Sequence, residues 1–147
     1  MLWRKKSVTQ LSNKLFVCTH GEFGKEILQS AKMIVGEMED VKYFSLKPGM
    51  VPTDYRKEIE DYLNENTEDN YLCLVDLFGG TPCNMVTSLN KENLEIISGL
   101  NLAMLIETYS LMQTVSISEL KDIALTTLAN SGVDVKKRFK ELRESKG

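Results

Sequence analysis

Short apolar runs alternate with longer amphipathic stretches along this chain. Four of the runs have the length of a strand, at residues 15–18, 41–46, 71–75 and 94–97. A short continuous apolar run is typical of a parallel strand that is buried on both faces. The stretches between the runs repeat apolar residues every three or four positions, which predicts helices. The pattern therefore predicts an alternation of strands and helices, with two helices after the fourth strand.

Local signals predict where several of the helices begin and end. Gly36 is suited to end the first helix. Thr53 or Asp54 is the predicted N-cap of the second helix. Thr81 followed by Pro82 predicts the start of the third helix. A hydroxyl can cap a helix, and proline, which has no N–H, sacrifices no hydrogen bond at the first helical position.

The C-terminal segment, residues 133–146, fits two patterns. Val133 and Val135 alternate as they would in a strand, whereas Val135, Phe139 and Leu142 have helical spacing. We favour either the start of a strand, which would add an edge strand to the sheet, or a helix docked at the sheet edge.

The repeated strand–helix order predicts an α/β fold in three layers, a doubly wound and mostly parallel sheet with strand order 2-1-3-4. Ligands of such sheets bind where the strand order reverses, at the carboxyl ends of strands 1 and 3. His20 follows strand 1, and Asp76, Gly79, Gly80 and Thr81 follow strand 3. We therefore expect these two distant stretches of chain to face each other.

Composition narrows the class of protein. The chain has 147 residues, 42% hydrophobic and 27% charged, which suits one folded domain and excludes a disordered chain. We assign residues 14–147 to that domain and residues 1–13 to a polar N-terminal extension. The net charge of −3 argues against nucleic acid as a partner. The apolar runs are too short to span a membrane.

Three cysteines, Cys18, Cys73 and Cys83, have no spacing typical of a metal site. An odd number also argues against a disulfide scaffold, so we predict no metal and a reducing, cytoplasmic compartment. A thiol nucleophile at Cys18 is conceivable, but its apolar strand favours an inert, buried side chain.

His20 is the only histidine and the first candidate for chemistry. A neutral imidazole is a good nucleophile, and its phosphorylated form can pass the group on. Gly21 leaves the approach to the ring uncluttered, and the nearby helix start can hold an anion. The alternative is an exposed loop histidine without a role.

Asp76 and the Gly79-Gly80-Thr81 turn are the companion candidates. The carboxylate of Asp76 could accept a hydrogen bond from His20 and fix its tautomer, or it could simply cap the turn. The two glycines let backbone approach a ligand, and the following helix offers N–H groups and a hydroxyl to a phosphoryl group. An ordinary strand-to-helix turn would have the same residues. The sequence has neither a phosphate-loop motif nor a Gly-x-Gly-x-x-Gly motif.

Three motifs in order resemble a known family. They are Thr19-His20-Gly21, the segment LVDLFGGTPCN at residues 74–84, and GLNLAML at residues 99–105. Together they resemble the IIA domain of mannose-family permeases of the bacterial phosphoenolpyruvate-dependent sugar phosphotransferase system, over residues 15–131. The resemblance implies that His20 is phosphorylated, that Asp76 is its partner and that Thr81 supplies a hydroxyl to the site.

The same resemblance implies a phosphoryl carrier in the cytoplasm that needs no cofactor. HPr would be the donor, a separate IIB component the acceptor, and the membrane permease subunits IIC and IID indirect partners. It also implies a homodimer in which a C-terminal strand crosses to the other subunit. The chain departs from the family pattern at Cys18 and Cys83, but not at His20 or Asp76.

Two other classes of function fit the same fold, a binding module that uses the crevice and a regulatory protein that signals through contacts. A module that binds a small ligand of the flavin type would bind a phosphate-bearing cofactor tightly without becoming labelled. A regulatory interaction protein would keep the fold and the label but pass it to no IIB component. A response-regulator receiver fits less well, because no acidic pair closes strand 1.

Overall fold

A four-stranded, all-parallel sheet forms the centre of the protein. A computed structural model describes residues 12–146. The strands are β1 (Asn13–His20), β2 (Val41–Leu46), β3 (Asn70–Val75) and β4 (Leu94–Ser98). Their order is β2-β1-β3-β4, with every neighbouring pair parallel. The predicted doubly wound α/β class and strand order are confirmed.

Six helices lie within the described residues, and the first five of them cover the two faces of the sheet. The six are α1 (Phe23–Val35), α2 (Pro52–Glu65), α3 (Thr81–Ser88), α4 (Leu102–Leu111), α5 (Ile117–Ser131) and α6 (Val135–Lys146). Helices α1, α4 and α5 share one hydrophobic core with the sheet, and α2 and α3 share the other. No helix of residues 12–146 combines the length and the apolar character needed to cross a membrane.

Strand β1 supplies both cores because successive side chains point to opposite faces of a sheet. Leu15 and Val17 pack into the core with α1, whereas Phe16 packs into the core with α2. The Phe16 ring stacks on Tyr71 at 4.8 Å between centroids and meets Phe44 edge-on at 5.4 Å. This burial on two sides explains why the run is apolar at every position rather than alternating.

Two predicted N-caps were wrong. Helix α2 is capped by Val51, not by Thr53 or Asp54, because Pro52 takes the first helical position and places both residues inside the first turn. Helix α3 is capped by Gly80, whose backbone is extended, and Thr81 is its first helical residue. Neither cap makes a side-chain hydrogen bond.

The C-terminal segment is a helix, so the predicted extra edge strand was wrong. After two valines the sequence is rich in Lys, Arg and Glu, which favour helix. Asp134 starts the helix, because its side chain accepts a hydrogen bond from the backbone N–H of Lys137 at 3.1 Å. No residue of α6 is buried, so the helix is not docked at the sheet edge either.

The N-terminal extension predicted for residues 1–13 lies outside the described residues except for Ser12 and Asn13. Asn13 is the first residue of β1 and is buried. Its side-chain amide donates hydrogen bonds of 2.8 Å to the carbonyls of Met112 and Val115, which lie between α4 and α5. This polar side chain therefore ties the start of the sheet to a loop about a hundred residues away.

We predict that Asn13→Ala lowers the free energy of unfolding by about 2–3 kcal/mol, because the buried carbonyl of Met112 and the partly buried carbonyl of Val115 lose their donor. Urea unfolding followed by circular dichroism measures the change. The matched control is Asn130→Ala at an exposed position of α5, which should stay within about 0.5 kcal/mol of the parent. Equal loss in both variants would contradict the role given to Asn13.

Candidate functional site

The ends of β1 and β3 bring the two candidate side chains together. His20 is the last residue of β1, and Asp76 directly follows β3. The two strands are parallel neighbours with Cys18 paired to Val75, so their carboxyl ends lie side by side. The predicted meeting of the two stretches is therefore observed, across 56 residues of sequence.

One oxygen of Asp76 holds His20 at two points. The Asp76 Oδ2 atom lies 2.9 Å from His20 Nδ1 and also accepts a 2.9 Å hydrogen bond from the His20 backbone N–H. A carboxylate can only accept, so Nδ1 carries the hydrogen in this pair and the lone pair resides on Nε2. The contact orients the ring and selects its tautomer.

Burial differs sharply between the two partners. The side chain of Asp76 is 13% exposed, while that of His20 is 48% exposed. The second carboxylate oxygen, Oδ1, is buried and has no hydrogen-bond partner among residues 12–146. The carboxylate therefore lies beneath a ring that is open to solvent, in surroundings where its interaction with a cationic imidazole is stronger than in water.

Gly80 approaches the ring of His20 directly. A Cβ atom at this position would lie 2.8 Å from His20 Cε1 and 3.5 Å from Nε2, which is too close for any side chain without movement of the ring. The sequence predicted that this glycine allows backbone to approach a ligand. The structure shows that the first group it approaches is the imidazole itself.

The tip of α3 lies beside the ring. Gly79 has a φ of +82°, which favours glycine, and Gly80 and Thr81 begin the helix. The first N–H groups of a helix have no partner inside it and carry the positive end of its dipole. The side chain of His20 makes no hydrogen bond to Gly79 or Thr81. These two residues lie near the site because they belong to the turn between β3 and α3.

Two polar residues that were not chosen as candidates shape the site. The side-chain amide of Asn84 donates a 3.1 Å hydrogen bond to the carbonyl of Gly79 and so braces the turn. The buried hydroxyl of Thr19 accepts a 2.8 Å hydrogen bond from the backbone N–H of Gly24 and positions the start of α1. Both residues lie inside the motifs, which was the only signal available for them.

Exposed apolar side chains lie close in sequence to His20 and Asp76. Phe78 is 83% exposed, Leu77 next to it is also exposed, and so is Phe23, the first residue of α1. Contiguous exposed apolar patches mark surfaces that meet other proteins, whereas single exposed apolar side chains are ordinary.

The three cysteines are free and buried. Cys18 and Cys73 are fully enclosed in the core, and burial raises the pKa of the Cys73 thiol well above its ordinary value. Cys83 packs in the first turn of α3. A thiol nucleophile at Cys18 is thus excluded by access, and the expected packing role fits. The described residues contain no group of His, Cys, Asp and Glu side chains that could hold a metal ion.

Comparison with known proteins places the chain in a family. A family model for EIIA-man, described as PTS system fructose IIA component, matches residues 14–125. The PTS system sorbose-specific EIIA component of Klebsiella pneumoniae is 29% identical over 105 residues, covering 70% of this chain and 77% of that protein. A crystal structure of phosphotransferase system component EIIA from Streptococcus agalactiae superposes with a TM-score of 0.76 and 30% identity, covering 85% of this chain and 98% of that one.

A longer relative is also similar. The PTS system mannose-specific EIIAB component of Escherichia coli (strain K12) is 34% identical over 97 residues, which cover 64% of this chain. The chain spans only 30% of the length of that relative. The resemblance stated from the three motifs is confirmed: this chain belongs to the EIIA-man family, the mannose- and fructose-type IIA components of the phosphotransferase system.

Proposed function

We propose that His20 carries a phosphoryl group between two proteins of a sugar phosphotransferase system. The observation that carries the proposal is the half-exposed imidazole whose Nδ1 is held by a buried carboxylate at 2.9 Å. Membership of the IIA family makes the chain a phosphotransferase component. A ring that is fixed on one side and open on the other suits a group that must be received and then given away.

The first transfer is a substitution at phosphorus. The Nε2 lone pair of His20 attacks the phosphorus of a phosphohistidine on the donor, HPr. A new N–P bond forms, the donor's N–P bond breaks, and its electron pair returns to the donor ring. The His20 ring keeps its Nδ1 hydrogen and gains positive charge, which Asp76 stabilises. In the second transfer a nucleophile on the IIB component attacks the phosphorus, the bond between phosphorus and Nε2 breaks, and its electron pair returns to the His20 ring.

The tip of α3 stabilises the transferring group. The three equatorial oxygens of the transferring phosphoryl group carry the negative charge of the transition state. The backbone N–H and the hydroxyl of Thr81 are suited to donate hydrogen bonds to these oxygens. Gly79 and Gly80 have no side chains and let the oxygens approach the turn, while the Gly80 N–H donates to the carbonyl of Leu77 at 3.2 Å. Because little covalent chemistry falls to the protein, positioning accounts for most of the rate.

The partners and setting follow from the family rather than from the contacts within the chain. We assign HPr as donor and IIB as acceptor, with the permease in the membrane reached only through IIB. We also propose a cytoplasmic location, a homodimer, and residues 14–147 as the domain that performs the transfer. The exposed Phe78 and Leu77 beside the site support a surface that receives proteins.

We predict that His20→Ala abolishes labelling when the protein is mixed with phosphoenolpyruvate, Enzyme I and HPr. Intact-mass spectrometry should detect one acid-labile phosphoryl group on the parent and none on the variant, because no other histidine is present. Full labelling of the variant would contradict the proposal. Tight binding of a phosphate-bearing cofactor without a label would instead favour the flavin-type module, and a label that no IIB accepts would favour the regulatory protein.

We expect Asp76→Asn to slow phosphoryl transfer roughly 10- to 100-fold. The substitution replaces the charge-assisted hydrogen bond to the ring with a weaker one, and a neutral amide cannot stabilise the positive charge of the imidazolium. Rapid-quench labelling measures the rate. Asp61→Asn is the control, because Asp61 only pairs with Lys57 on the exposed face of α2. An unchanged rate in Asp76→Asn would show that the carboxylate does not assist transfer.

Gly80→Ala should slow labelling at least about tenfold, because the new methyl group would displace the ring from Asp76. The matched control is Gly132→Ala, where a Cβ atom meets nothing within 4 Å and φ is −89°. Both variants should fold, as judged by urea unfolding. If Gly80→Ala labels at the parental rate, close packing on the ring is not required.

A further inference from the structure

The imidazole of His20 is oriented by its own chain, without any partner. Its Nδ1 lies 2.9 Å from Asp76 Oδ2, and the same oxygen accepts the backbone N–H of His20 at 2.9 Å. A free histidine side chain in water divides its hydrogen between the two ring nitrogens and rotates freely. The fold has therefore already selected the tautomer and the direction of the Nε2 lone pair.

The space around this ring is open. The side chain of His20 is 48% exposed. A Cβ atom at Gly21, the next residue, or at Gly79 in the turn would meet no atom of residues 12–146 within 4 Å. Phe78, the large side chain next to Gly79, is 83% exposed and so covers little of the chain. A phosphoryl compound of only a few atoms therefore has access to Nε2.

The groups that assist transfer belong to the same chain. The carboxylate of Asp76, only 13% exposed, lies where it balances the positive charge that the ring gains. In the proposed function, Thr81 donates hydrogen bonds to the phosphoryl oxygens. A donor protein adds docking, which raises the effective concentration of its phosphoryl group. The nucleophile and its orienting carboxylate are present without that docking.

We propose that His20 also accepts a phosphoryl group directly from small molecules of two classes, phosphoramidates and acyl phosphates. In both classes the phosphorus carries a leaving group that departs readily, an amine or a carboxylate. The inference rests on the proposed function, since it uses the same nucleophile, and it extends the donors from a phosphorylated protein to small phosphoryl compounds.

The reaction is a substitution at phosphorus in both cases. The Nε2 lone pair attacks the phosphorus of phosphoramidate, a new N–P bond forms, and the donor's N–P bond breaks. Its electron pair stays with the leaving nitrogen, which is protonated in the donor and departs as ammonia. With acetyl phosphate the P–O bond breaks instead, and the electron pair leaves with acetate. The His20 ring keeps its Nδ1 hydrogen throughout and gains positive charge beside Asp76.

The geometry sets the size and the form of the expected rate. A charge-assisted hydrogen bond to the developing imidazolium should make His20 at least about tenfold more reactive than N-acetylhistidine. The groups that Thr81 offers to the phosphoryl oxygens are neutral, so a free donor binds weakly. The rate of labelling should therefore rise in proportion to the donor concentration through the millimolar range.

Incubation of the full chain with potassium phosphoramidate, and separately with acetyl phosphate, tests the proposal in the absence of phosphoenolpyruvate, Enzyme I and HPr. Intact-mass spectrometry should count one acid-labile phosphoryl group on the parent and none on His20→Ala. Asp76→Asn should label at least about tenfold more slowly. Asp61→Asn, on the exposed face of α2, is the matched control and should keep the parental rate. N-acetylhistidine in the same solution gives the reference rate.

The possible outcomes separate this inference from the carrier role. A parent that reacts no faster than N-acetylhistidine, or an Asp76→Asn variant that labels at the parental rate, overturns the inference. Labelling by only one of the two small donors overturns it for the class that fails. Labelling by small donors but not by phosphorylated HPr supports the inference and contradicts the carrier role. Labelling by phosphorylated HPr alone supports the carrier role and overturns the inference.

Discussion

The pair formed by His20 and Asp76 is the interaction on which the site depends. It joins residues 56 positions apart, and it exists because β1 and β3 are adjacent and parallel. A buried carboxylate would be costly without a donor, and the histidine supplies two, its ring Nδ1–H and its backbone N–H. The same oxygen atom therefore orients the reactive ring and accepts the hydrogen bond of the backbone N–H at the end of β1.

Much of the fold was predictable because its strands are buried on both faces. An apolar run such as residues 15–18 of β1 has few other interpretations when helices alternate with such runs. Because connections between parallel strands are right-handed, few sheet topologies are then possible. The site could be predicted to the level of two facing loops, since the strand order places residues 20 and 76 at one edge. The three motifs then identified the family from residues rather than from geometry.

Other features could not be predicted, for physical reasons. Thr53 and Asp54 look like caps by residue type, but Pro52 had already fixed the backbone of the first helical position. The role of Gly80 depends on the position of an imidazole across the sheet edge, and no local pattern contains that distance. Residues 133–146 misled because two valines favour a strand, while the longer run of helix-forming residues and the cap at Asp134 decide the outcome.

The double attachment of His20 to one carboxylate oxygen has a consequence for the order of events. Ring and main chain are anchored together, so the nucleophile cannot swing as an arm between two docking positions. A donor and an acceptor would have to reach the same nitrogen through the same opening. The donor and the acceptor would exclude each other sterically. Phosphoryl transfer through this fold would therefore require one partner protein to dissociate before the other binds.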